Sequence, residues 1–92
     1  MYDKDLTTRW HVDIEFSEDD VHTHATLRAR MDDDRELTAT GDSYRNPRDS
    51  SRPIIGEEIA AARALLALGT DLLQTASHQI EEAVHRPVHL SR

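Results

Sequence analysis

Cysteine is absent from the 92 residues, which excludes disulfides, thiol catalysis, iron–sulfur clusters and cysteine-based zinc fingers and points to a cytoplasmic home. Aromatic residues make up only 4% of the chain, as Tyr2, Trp10, Phe16 and Tyr44, so aliphatic side chains must carry the packing. Lysine occurs once, at Lys4, and 18 acidic residues against 11 basic ones leave a net charge of −7. Such a balance repels a polyanion, and no DNA partner is expected. No apolar run approaches the roughly 18–20 residues that span a bilayer. The opening Met1-Tyr2-Asp3-Lys4-Asp5 shows neither a basic n-region nor an apolar h-region, so no signal peptide and no membrane partner are expected. Gly41, Gly56 and Gly69 form no phosphate-cradling loop.

What remains describes one small domain over residues 1–92, with 37% hydrophobic and 32% charged residues. A chain of this size buries only about 60% of its unfolded surface, so self-association would add useful burial. Residues 8–16 alternate, with Trp10, Val12, Ile14 and Phe16 on one face and Arg9, His11, Asp13 and Glu15 on the other. That is the period of a strand buried on one side. A second alternating run sets Val21, Thr23, Ala25, Leu27, Ala29 and Met31 inward and His22, His24, Thr26, Arg28 and Arg30 outward. With Glu18-Asp19 at the centre of the turn, Phe16 faces Val21, Ile14 faces Thr23 and Val12 faces Ala25, which keeps both apolar sets together. Asp32-Asp33-Asp34 reads as a second turn, and 36–42 as a third strand with Leu37 and Ala39 inward.

From Gly56 the period changes to 3.6. Gly56 is the expected N-cap, with Glu57 and Glu58 complementing the positive helix end. Ile59, Ala62, Leu66, Gly69, Leu73, Ala76, Ile80 and Val84 form one stripe, and Leu65, Leu68 and Leu72 a second row beside it. His85-Arg86 before Pro87 ends the helix. Ser77 can also cap a separate short helix, so one continuous helix and one broken near Ser77 both suit the sequence. The fold class expected is α+β: a three-stranded antiparallel β-meander over 8–42, a mobile loop over 43–55, a long C-terminal helix over 56–86 packed on one face, and a tail over 87–92. Within that tail Val88-His89-Leu90 suits a short extended segment. The expected core is Trp10, Val12, Ile14, Leu27, Leu37, Ile59, Leu66 and Leu73.

On the polar face of the sheet this register sets Glu15 opposite His22 and Asp13 opposite His24. Two histidines at i and i+2 beside carboxylates are a possible metal-ligand set. The plainer reading is a solvated ladder of opposite charges, each pair contributing about 0.2–1 kcal/mol, and no metal or cofactor is expected. Catalysis finds no support. The serines (Ser17, Ser43, Ser50, Ser51, Ser77, Ser91) lack a nucleophile elbow, and acidic pairs such as Asp33-Asp34 and Glu81-Glu82 read as solvated surface.

The two helix rows together span about 160°, more than the roughly 100° that a three-stranded sheet covers. A helix of some 30 residues also reaches about 45 Å, whereas eight-residue strands reach about 26 Å. The uncovered row Leu65, Leu68 and Leu72 is therefore the candidate homodimer interface.

Three blocks carry a family resemblance. The first is Trp10-His11-Val12-Asp13-Ile14 with Thr23-His24-Ala25-Thr26-Leu27-Arg28. The second is Ile55-Gly56-Glu57-Glu58-Ile59 with Ala62-Arg63-Ala64-Leu65, Leu68 and Leu72. The third is Ile80-Glu81 with His85-Arg86-Pro87-Val88. Over nearly the whole chain they resemble a family of short actinobacterial proteins known only as a domain of unknown function, some of whose members are associated with dormancy or stress. The resemblance implies an α+β fold similar to ribosome hibernation factors and double-stranded-RNA-binding-like domains, and it supplies no catalytic residues. The chain departs from an RNA binder in placing Glu57-Glu58 where such domains need cations near a helix start. The function expected is that of a small, non-enzymatic, homodimeric interaction protein, stress- or dormancy-related, with an unidentified protein partner. The alternative is a ribosome- or RNA-associated hibernation-type factor using Arg28, Arg30, Arg45, Arg48 and Arg52.

Overall fold

A computed structural model describes residues 6–48 and 52–84. Strands β1 (His11–Glu18), β2 (His22–Arg30) and β3 (Glu36–Tyr44) precede a single helix, α1 (Pro53–Val84). The sheet is an antiparallel meander of order β1-β2-β3, so the α+β architecture expected from the two hydrophobic periods is present. The expected helix end at His85-Arg86 and the tail over 87–92 lie outside the described residues.

The β1–β2 register differs from the expected one. Ile14 pairs with Leu27, Phe16 with Ala25 and Val12 with Ala29, a slip of four residues that preserves which side chains share a face. The cause is Asp19. Its carboxylate accepts the Val21 and His22 amides at 2.9 and 2.8 Å, and its own amide donates to the His22 carbonyl at 2.9 Å. The turn thus centres on Asp20-Val21, and Val21 belongs to the turn rather than to the strand. Between β2 and β3, Asp34 sits at φ 68°, a left-handed position that Asp tolerates. The Asp33 carboxylate accepts the Arg35 amide at 3.1 Å and pairs with its Nε at 2.7 Å.

Helix α1 starts at Pro53, three residues before the expected cap, because proline suits the first helical turn, where its missing N–H costs nothing. Gly56 is therefore inside the helix and β3 reaches Tyr44, so both ends of the expected 43–55 loop belong to regular elements. The helix runs unbroken through Ser77. Its 32 residues make it about 48 Å long, longer than strands of eight or nine residues, and the molecule measures 59 × 31 × 19 Å.

The helix lies over β3 and β2 and leaves β1 largely uncovered. Its buried face is Ala60, Ala64 and Leu68, meeting Ala25, Leu27, Ala29 and Ala39 of the sheet. This corrects the expected core. Leu27 is fully buried and Ile14 and Leu37 pack half-buried against the core, but Leu66 is 72% exposed, and Trp10, Val12 and Ile59 are exposed too. The physical reason is size. Ala25, Ala29, Ala39 and Gly41 make the sheet's inner face shallow, so the helix turns its alanines toward it and draws close. A row of Ile59, Leu66 and Leu73 would hold the helix too far off to fill that space.

Candidate functional site

The face of the sheet turned away from the helix carries the one described cluster of metal-ligating side chains. His22 and His24 sit two apart on β2, so both rings project from the same face. On β3, Asp42 pairs directly with His24 and Tyr44 with His22. Asp42 Oδ1 accepts from His22 Nε2 at 2.8 Å and from His24 Nδ1 at 2.6 Å. An ionised carboxylate is an acceptor only, so both of these ring nitrogens carry their hydrogen in this arrangement. The two hydrogen bonds, His24's first and His22's second, hold the Asp42 carboxyl below the usual aspartate range.

The cluster is braced from two sides. The Tyr44 ring stacks on His22 with centroids 4.4 Å apart and planes 4° from parallel, which fixes the plane of the imidazole. Arg63 of α1 reaches around the edge of the sheet and donates to the Asp42 carbonyl at 2.7 Å. The three side chains are 31–38% exposed, so the cluster is open on its outer side.

The register slip undoes the expected ladder. Asp13 faces Arg28 and Glu15 faces Thr26, while His24 faces Ser17 on β1. Neither Asp13 nor Glu15 is a cross-strand partner of His22 or His24. The carboxylate that joins the histidines, Asp42, was missed because it lies 18 residues from His24 and becomes its neighbour only through the β2–β3 pairing. The signal was present in principle: the centre of Asp32-Asp33-Asp34 makes facing residues sum to 66, which sets 24 against 42.

The proposed interface row also separates. Leu68 is 7% exposed and belongs to the protomer's own core, Leu72 packs half-buried against it, and Leu65 is 48% exposed. Exposed apolar side chains also stand on the sheet, where Val12 and Phe16 of β1 and the preceding Trp10 are 39–47% exposed, and on the outer side of α1, at Ile54, Ile55 and Leu66. The candidate RNA-binding arginines are dispersed. Arg28 faces Asp13, Arg30 lies 3.9 Å from Glu36, and Arg45 donates to the Asp20 carbonyl, with its Nε at 3.0 Å, tying the loop to the β1–β2 turn.

Known proteins bear on this geometry. Residues 8–89 match the family described as Rv2632c-like. The chain is 40% identical over 81 residues to the uncharacterised protein Mb1767 of Mycobacterium bovis, covering 88% of this chain and 85% of that one. It is 34% identical over 77 residues to the uncharacterised protein Rv2632c of Mycobacterium tuberculosis, covering 84% and 82%. The crystal structure of Rv2632c superposes with a TM-score of 0.82 at 29% identity, over 92% of this chain and all of that one. No helix among the described residues is long and apolar enough to cross a membrane.

Proposed function

The chain belongs to the Rv2632c-like family, and we propose that it acts as a small, non-enzymatic interaction protein that self-associates through the bare apolar side of β1. One observation carries the reading: a strand whose inward side chains should be covered is not covered. Val12 and Phe16 share a face with the buried Ala29 and Ala25, yet stand 47% and 39% exposed. The helix sits to one side, over β3 and β2. Leu65 of α1, 48% exposed, is the residue of the expected row left free to join this strip.

A second copy is the occupant that best fits. Each protomer offers an edge strand with one apolar face, and a twofold axis brings two such strips together while both domains gain the burial that a chain this small lacks. The interface is correspondingly Trp10, Val12, Phe16 and Leu65, and Leu68 is not part of it. A stress- or dormancy-related setting rests on the family resemblance. The ribosome-associated alternative draws little from this surface, because the sheet arginines stand beside acids and Arg45 is engaged in the turn.

Sedimentation equilibrium of the purified protein tests the proposal. A dimer is expected, converted to monomer by Phe16→Glu with Leu65→Glu while the far-UV circular dichroism is unchanged. A parent that stays monomeric at high micromolar concentration overturns it. Salt-sensitive co-sedimentation with ribosomes would favour the hibernation-type alternative.

A further inference from the structure

We propose that His22, His24 and Asp42 form a binding site for a divalent transition-metal ion, zinc being the natural occupant, on the sheet face opposite the helix. The donor atoms His22 Nε2, His24 Nδ1 and a carboxylate oxygen of Asp42 all lie within 4.8 Å of one another. Ions of this class take imidazole nitrogen at about 2.0–2.1 Å and carboxylate oxygen at about 2.0–2.2 Å. Tetrahedral bonds of that length set neighbouring donors about 3.4 Å apart. The present separations of 2.6 and 2.8 Å therefore need only a small outward turn of the side chains to admit an ion. Two neutral imidazoles and one carboxylate select first-row transition ions over calcium or magnesium, which prefer all-oxygen shells.

The backbone places the set in advance. Both histidines come from alternate positions of one strand, and Asp42 from the position directly across from His24, so assembling the donors costs no loop ordering. The Tyr44 ring stacked on His22 holds one ligand from outside the set, and the Arg63 hydrogen bond to the Asp42 main-chain carbonyl anchors the backbone that carries another. For an ion to enter, each ligating nitrogen gives up its hydrogen: a neutral imidazole moves the proton to its other nitrogen, and the freed lone pair takes the metal. Three protein ligands leave the outward positions to water or to a group from a partner, as in sites that exchange or bridge rather than sites sealed for structure. The site lies on the opposite face from the β1 strip, so it stands independently of self-association.

The test uses the full chain, free of any affinity tag and stripped with a chelator, titrated with zinc alone by calorimetry near neutral pH. One ion per chain is expected. His22→Gln with His24→Gln, and separately Asp42→Asn, should weaken binding about tenfold or more. His78→Gln, which alters the exposed helical pair with Glu82, should leave it unchanged. Imidazole resonances provide a readout that does not depend on how the variants fold: zinc should shift those of His22 and His24 in the parent and not those of His11 or His78. Zinc affinity unchanged in the double histidine variant, shifts confined to other histidines, or no saturable binding in the micromolar range overturns the proposal.

Discussion

Gly41 of β3 lies directly beneath Ala60 of α1, with no room between them for a side chain. A Cβ on Gly41 would stand 2.5 Å from the Ala64 nitrogen and 2.9 Å from the Arg63 Cβ, and closer still to the Ala60 carbonyl oxygen. Backbone rests on backbone here, which explains why the helix turns alanines rather than leucines to the sheet.

Gly41→Ala should therefore destabilise the protein by about 1–3 kcal/mol, because the obstructing atoms are main chain and cannot rotate away. Gly69→Ala is the contrasting substitution. Nothing lies within 4 Å of the added methyl, and a helical glycine becomes an alanine, so stability should rise by about 0.5–1 kcal/mol. Urea denaturation of the two variants against the parent checks both signs at once.

The helix rotation makes a second contrast. Leu68→Ala, at 7% exposure, should cost about 2–5 kcal/mol. Leu66→Ala, at 72% exposure, should change stability by less than about 0.5 kcal/mol. Equal losses from the two would mean that the helix face is misassigned.

Glu18 and Glu57 bring two carboxyls together where the helix begins beside β1. The hydrogen bond with Glu57, then desolvation, then the Glu57 charge push the Glu18 carboxyl above its ordinary value. A raised carboxyl binds more protons folded than unfolded, so its contribution to stability falls as pH rises through the folded value. Glu57→Gln removes the repulsion and should raise the Tm near neutral pH. The gain should vanish below about pH 4, where the raised Glu18 carboxyl of the parent is protonated. Thermal melts of parent and variant across that range supply the check, and a gain that persists at low pH would point to a different cause.

Asp34 holds its left-handed backbone in the three-residue turn between β2 and β3. Asp34→Gly should be neutral or stabilising by up to about 1 kcal/mol, while Asp34→Val should cost about 1–2 kcal/mol, since a branched Cβ crowds the carbonyl in that conformation. Equal melting temperatures for the two variants would refute the role given to φ.

The sequence by itself determined the element types, their order and the inward face of every strand, because periods of 2 and 3.6 are local properties that burial can hardly override. It also carried the loop and turn positions to within a few residues. Three features waited for the tertiary structure. The β1–β2 register depended on the Asp19 carboxylate capturing two amides, and a slip of four residues leaves the hydrophobic pattern equally satisfied. The helix face depended on the depth of the surface opposite: with apolar residues around most of α1, periodicity ranks rows by bulk, whereas a sheet floored with Ala25, Ala29, Ala39 and Gly41 selects the smallest row. The His22–His24–Asp42 cluster depended on pairing between strands, which joins residues far apart in the chain. Local patterning decides what each segment becomes; shape complementarity between segments decides which of several acceptable faces meet, and so which side chains are left outside to act.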